Sequence, residues 1–223
     1  MYGITITKGS VFMFSVIFDM DGTLLDTQSI CIPAWEYAGE KQGLKGAGEL
    51  MPSVCGMNLN GSNKVLIDNY PNIDLELFRA DSREYIQKNL VVRFMKGAKE
   101  LLDYLKGRGV KIGLATGTSR PSVLHHLNEV DALPYFDALV CGTEIENGKP
   151  APDIFLKTAE LMGADPKTCF VFEDSENGIL AGSRAGMKTI GIPDVVTFSK
   201  EIKALMYCEL EDLSQAIEIF EKL

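Results

Sequence analysis

The sequence predicts an α/β protein: a doubly wound parallel sheet with helices on both faces and an all-helical segment inserted after the first strand. Three observations predict it. From about residue 97 onward, short apolar runs alternate with helix-length stretches, the order that builds a parallel sheet with right-handed crossovers. Between residues 27 and 94, helical patterns follow one another with no convincing central strand. The first apolar run ends in Asp19-Met20-Asp21-Gly22, and ligand-binding groups of such sheets sit at the carboxyl ends of strands.

The elements follow in order. Residues 14–18 are β-branched and aromatic and read as a buried strand. Residues 28–42 turn helical until Gly43, Gly46 and Gly48 break the pattern, and further helical segments fall near 49–51, 63–69 and 74–90. Residues 97–108 read as a helix stopped by Gly109, and 110–115 as the second strand. Thereafter 121–128, 152–162, 175–185 and 213–223 read as helices, while 138–141, 169–172 and 188–192 read as strands. The expected organisation is a core of residues 13–26 and 95–223, with 27–94 as the inserted helical block. Residues 1–12 carry no clear pattern and read as an N-terminal extension, with Met13 a candidate start.

A chain of 223 residues suits one large domain or one domain with an insertion, and 46% hydrophobic residues describe an ordinary soluble globular protein. A net charge of −9 argues against nucleic acid or an anionic membrane as partner, since both need a basic surface. The apolar stretch 11–18 is too short to span a bilayer and runs straight into Asp19 instead of a cleavage site. Five cysteines, Cys31, Cys55, Cys141, Cys169 and Cys208, are odd in number and lack the close pairs of a zinc site. A reducing cytoplasm and a monomer are the simplest expectations.

Four strand exits carry chemistry. They are Asp19 and Asp21; Thr116-Gly117-Thr118; Gly148-Lys149-Pro150; and Glu173-Asp174. Alternate residues of an extended chain point the same way, so Asp19 and Asp21 reach one rim together. Taken alone, Asp-x-Asp-Gly also describes calcium loops and ordinary turns, Thr116 a helix cap, Lys149 a solvated lysine and Glu173-Asp174 an exposed cap. Their joint placement at successive exits favours a site. Asp19 and Asp174 can share a hard cation such as Mg²⁺, which cancels repulsion between an anionic nucleophile and an anionic substrate. Asp19 can then attack phosphorus, Asp21 can move protons, and Lys149, Thr116 and the Gly117 N–H can hold phosphoryl oxygens. His125 and His126 lie mid-helix and read as exposed or packing residues. Trp35 reads as core, with a substrate platform as the alternative.

The segments FDMDGTLLD (18–26), LATGTS (114–119), GKPAPD (148–153) and VFEDSENGILAGSRAGM (171–187) resemble the four ordered motifs of the haloacid dehalogenase superfamily. The resemblance spans the core and implies a Rossmann-like sheet with a helical cap that closes over the site. It also implies Asp19 as nucleophile, Asp21 as acid/base, Thr116 and Lys149 on phosphate, and Mg²⁺ held by Asp19, the Asp21 carbonyl and Asp174, with Glu173 ligating or orienting. Dehalogenases of this fold lack the second aspartate and the metal, so Asp21 argues against dehalogenation. A β-phosphoglucomutase resemblance implies a histidine on the first cap helix and an arginine in the cap loop. Counting places Cys31 and Leu59 there, and neither matches. The expected function is a Mg²⁺-dependent phosphatase of a small phosphomonoester, with a sugar-phosphate mutase, a non-catalytic phosphate-binding module and a receiver-type domain as alternatives.

Overall fold

The protein is described here by a computed structural model, covering residues 14–54, 59–195 and 197–223. The readings for residues 1–12 and for Cys55 fall outside the described residues. Six strands, β1 (Ser15–Phe18), β2 (Ile112–Thr116), β3 (Ala138–Cys141), β4 (Cys169–Glu173), β5 (Lys188–Gly191) and β6 (Cys208–Glu209), form one sheet. All five pairings are parallel, in the order β3-β2-β1-β4-β5-β6. The chain leaves β1 toward β2 and β3, then returns to β1's other side as β4. That reversal opens a crevice beyond the carboxyl ends of β1 and β4.

The pleat divides the core. Val16 and Phe18 of β1, with Phe170 and Phe172 of β4, face one layer of buried side chains. There they meet Leu101 and Leu105 of α5 (Ala98–Gly107), Val123 and Leu127 of α6 (Arg120–Glu129) and Phe220 of α10 (Ala216–Phe220). Ile17 and Val171 point the other way, onto Phe155 and Met162 of α7 (Asp153–Met162) and Ala181 of α8 (Glu176–Arg184). Both faces are thus covered, as the apolar, non-alternating strands require.

Between β1 and α5 the described residues hold only helical elements: α1 (Cys31–Lys41), a 3₁₀ turn at Gly48–Leu50, α2 (Met51–Val54), α3 (Leu59–Asn69) and α4 (Leu75–Asn89). This block has a separate core of Trp35, Ala38, Ala47, Val54, Leu66 and Phe78. Trp35 meets Phe78 edge-on, with ring centroids 5.5 Å apart, and carries the Arg79 guanidinium 5.1 Å above its ring. The reading of Trp35 as core therefore holds. The two segments that join block and sheet run side by side: Asp26 N–H donates to Arg93 O at 2.9 Å, and Met95 N–H to Leu24 O at 2.9 Å. Among the described residues, no helix is long and apolar enough to cross a membrane.

Several boundaries differ from the sequence reading. α3 starts at Leu59, four residues earlier than expected, because packing of Leu66 into the block overrides the poor helix propensity of Asn60 and Gly61. The segment expected at 49–51 is a 3₁₀ turn followed by α2, and the closing helix begins as a 3₁₀ turn at Leu213–Gln215. The short elements α9 (Lys200–Lys203) and β6 are additions, too brief to leave a periodicity.

Phe172 lies flat on Phe18, centroids 5.0 Å apart, and edge-on to Phe220 at 6.2 Å. Phe172→Ala should cost about 3–5 kcal/mol in chemical denaturation, the range for emptying a large aromatic site. A loss under about 1 kcal/mol, the size of an average substitution, would show that this layer repacks freely.

Candidate active site

β1 ends at Phe18, which registers with Leu114 of β2 and Phe172 of β4, so Asp19 emerges level with Ala115 and Glu173. The Asp19 N–H donates to Phe172 O at 3.0 Å, which fixes the backbone at the exit. The following turn needs glycine twice over. Gly22 has φ +78°, and a Cβ there would come within 2.5 Å of Gln28 Nε2 and 2.7 Å of Asp174 Oδ2.

Four of the expected residues are almost wholly enclosed: Asp19 at 6% exposure, Asp174 at 3%, and Thr116 and Glu173 at zero. The alternative reading of Glu173-Asp174 as an exposed cap therefore fails, and Thr116 is not the cap of the helix that follows, whose N-cap position is Ser119. Ser175 is the cap of α8, its hydroxyl accepting from Gly178 N–H at 3.1 Å. The loop between β3 and α7 brings Lys149 across the crevice, where its ammonium lies 2.5 Å from Asp19 Oδ1 and is also ion-paired to Glu173 Oε1. It donates in addition to Ala115 O at 3.2 Å. Burial opposes the charge on Lys149, but Asp19 and Glu173 outweigh it and raise its pKa. Burial pushes the Asp19 carboxyl well above the ordinary carboxylate range against the pull of Lys149, with Glu173 and Asp174 adding to the rise. Asp174 is pushed up to about 8, by burial and then by Glu173, while its hydrogen bond from Gln28 works the other way.

The Asp21 carboxylate turns toward hydroxyls. Thr27 Oγ1 donates to Oδ1 at 2.6 Å, and Thr116 and Thr118 Oγ1 donate to Oδ2 at 3.1 and 2.6 Å. Glu173 Oε2 accepts from both the N–H and the hydroxyl of Ser175, at 3.1 and 2.9 Å. The resemblance implies a metal held by Asp19, Asp174 and the Asp21 carbonyl, with Glu173 ligating or orienting, and the side chains of Glu173 and Asp21 are turned to other partners. Among the described residues no group of three or more His, Cys, Asp or Glu side chains is arranged around a metal position. Glu173 is committed to Lys149 and Ser175, and the Asp21 side chain to three threonines. The oxygens that face one another are Asp174 Oδ2 and the Asp21 carbonyl, bridged by Gln28 Nε2 at 2.8 and 2.7 Å. With Asp19, whose carboxyl the Asp174 charge reaches and pushes up, they form an all-oxygen donor set of the kind that suits a hard divalent cation. The Gln28 N–H group, a partial positive charge between two oxygens, stands in for it.

Around these groups lies a cavity of about 550 Å³, walled by Asp19, Asp21, Thr116, Gly117, Lys149 and Asp174 among others. It thus brings together every expected residue except Glu173, which lies behind Lys149. Cys31 and Trp35 do not line it, whereas Leu59, at the start of α3, does. Sequence reasoning missed Gln28 and Thr27 as supports, named Thr118 without a role of its own, and did not foresee that the Thr23 hydroxyl donates to Asp174 Oδ1 at 3.3 Å. Thr118 was two residues from Thr116 and open to notice, but a lone glutamine at a helix start looks like polar surface.

Residues 16–192 match the model of the haloacid dehalogenase-like hydrolase family. The chain belongs to the haloacid dehalogenase-like hydrolases. Among its relatives in this family is a phosphorylated carbohydrates phosphatase of Thermotoga maritima, 33% identical over 182 residues that cover 80% of this chain and 84% of the relative. Another is the β-phosphoglucomutase of Bacillus subtilis, 33% identical over 191 residues, covering 81% and 83%. The same fold occurs in a haloacid dehalogenase family hydrolase of Deinococcus radiodurans, with a TM-score of 0.78, 22% identity and coverage of 94% and 96%.

Removing the ammonium between Asp19 and Glu173 leaves two buried carboxylates unpaired, so Lys149→Met should lose roughly 3–5 kcal/mol of stability. Adding Glu173→Gln to that variant should restore part of the loss, read by denaturation of the single and double variants. Equal stability of the two would mean that the ion pairs are not coupled.

Proposed function

We propose that the protein is a Mg²⁺-dependent phosphatase that hydrolyses a small phosphomonoester through an aspartyl-phosphate intermediate. One observation carries the reading: Asp19 stands at the floor of a cavity with Lys149 on one of its oxygens and hydroxyl and backbone donors of the Thr116 loop across from it. The names of related phosphatases support the same class of reaction.

In the first step an Asp19 oxygen attacks phosphorus and the bond to the ester oxygen breaks. Asp21, held by Thr27, Thr116 and Thr118, gives its proton to the departing oxygen. In the second step Asp21 takes a proton from water as that water attacks the same phosphorus, freeing inorganic phosphate and the Asp19 carboxylate. Lys149, the Thr116 hydroxyl and the Gly117 N–H hold the three phosphoryl oxygens while charge spreads over them. Asp19, Asp174 and the Asp21 carbonyl would hold Mg²⁺. When bound, it supplies positive charge that offsets repulsion between Asp19 and the phosphoryl group. Gln28 would give up its bridge to make room. In this reading residues 27–94 act as a cap that excludes water, and the enzyme works as a cytoplasmic monomer.

The relative named as a mutase raises a second reading, isomerisation of a sugar phosphate. A mutase must rebind its phosphorylated product turned end for end. With Cys31 outside the cavity and Leu59 within it, neither cap position offers the histidine or arginine which that resemblance implies.

Phosphate release from p-nitrophenyl phosphate and both glucose phosphates tests the proposal. Asp19→Asn should abolish release while the fold persists, and Asp21→Asn should slow it on the order of a hundredfold or more. EDTA should stop turnover and Mg²⁺ restore it. Normal activity in Asp19→Asn would sink the nucleophile assignment, and conversion of glucose 1-phosphate to glucose 6-phosphate without free phosphate would make the enzyme a mutase.

A further inference from the structure

We infer that the cavity selects phosphomonoesters whose leaving group is an uncharged alcohol, and rejects substrates that carry a second anionic group beyond the transferring phosphate. The inference rests on the phosphatase reading and concerns the part of the cavity that chemistry does not use.

Lys149 is the only Lys, Arg or His among the described residues lining the cavity, and it is already ion-paired to both Asp19 and Glu173. Away from the acidic floor, the wall consists of Leu59, Gly142, Thr143, Ile145 and Ile154, apolar or neutral throughout. Leu59 is 62% exposed at the mouth, an apolar side chain held out where it can touch a leaving group. From residue 50 to residue 63 the sequence holds no Asp, Glu, Lys, Arg or His, so residues 55–58, Cys-Gly-Met-Asn, cannot supply a cation either. The nearest basic side chain in sequence beyond Thr118, Arg120, is spent on Glu144, to which it donates twice, and on Leu139 O at 2.9 Å. Lys64, one residue past the uncharged stretch, pairs with Asp68.

A carboxylate or second phosphate on the leaving group would therefore enter a cavity with three acids at its floor and no free cation among the described residues of its wall. It would lose hydration without gaining a partner, and like charges brought together in a site are a standard means of rejecting wrong ligands. Hydroxyls of a polyol, sugar or nucleoside meet no such penalty, because Thr143 and the main chain around Gly142 can exchange hydrogen bonds with them. Leu59 is the specificity-determining position, since a cation placed there would face the leaving group.

The test compares two esters of matched size that differ in one charge, 2-hydroxyethyl phosphate and 2-phosphoglycolate, with p-nitrophenyl phosphate alongside. Wild type should favour the hydroxyl ester in kcat/KM by on the order of tenfold or more, given the cost of an unpaired like charge. Leu59→Arg should move that ratio toward phosphoglycolate, and the ratio within one preparation is independent of how much of the variant folds. Equal or faster hydrolysis of phosphoglycolate by wild type would overturn the inference, and an unchanged ratio in Leu59→Arg would remove Leu59 from it. Absence of phosphate release from all three esters would instead bring down the phosphatase reading and this inference together.

Discussion

The site is organised around a single ammonium group. Lys149 is inserted between Asp19 and Glu173 at the point where three neighbouring strands end, and among the described residues neither acid is paired with another cation. Two carboxylates enclosed with one lysine still carry excess negative charge, and Asp174 beside them adds more. The raised pKa values of Asp19 and Asp174 express that excess. A chain selected for stability alone would place apolar residues here, since buried ions rarely repay their desolvation. The sheet tolerates the arrangement because its two apolar layers are otherwise complete, and a divalent cation would offset the excess negative charge.

Asp21 depends on more than the strand that delivers it. Its carboxylate is fixed by Thr116 and Thr118 from the end of β2 and by Thr27 from the first residues leading into the helical block. Gln28, the next residue, reaches Asp174 and the Asp21 carbonyl. The start of the block is thus wired directly into the floor of the cavity, so a displacement of that segment would be felt at the Asp21 carboxylate and at the oxygens facing one another across Gln28.

The core was legible in the sequence and the block was legible as helical but not in its boundaries, for a physical reason in each case. Strands buried on both faces appear as unbroken apolar runs, and each ended on residues whose chemistry had no packing purpose, so Asp19, Thr116, Lys149 and Asp174 could be located by position alone. The helical block buries only a narrow stripe per helix, around Trp35, Leu66 and Phe78, and its loops carry Gly and Asn at points where tertiary contacts decide the outcome. The start of α3 was misplaced for that reason. Whether Glu173 ligates or orients stayed open because residue type does not disclose orientation: at the end of β4 Glu173 turns inward to Lys149, while Asp174 lines the crevice.

The two segments joining the helical block to the sheet lie one hydrogen bond apart, at Asp26 and Arg93. An excursion of that length which begins and ends at the same place leaves the sheet topologically whole. None of the strand pairings passes through the block, and its apolar cluster is distinct from the two that flank the sheet. The same frame could therefore exchange this excursion for a longer one, a shorter one or a tight turn without redrawing a single ladder, at a closure cost that grows only with the logarithm of its length. Selectivity for leaving groups and the machinery for transferring phosphate can in this way diverge on separate stretches of chain.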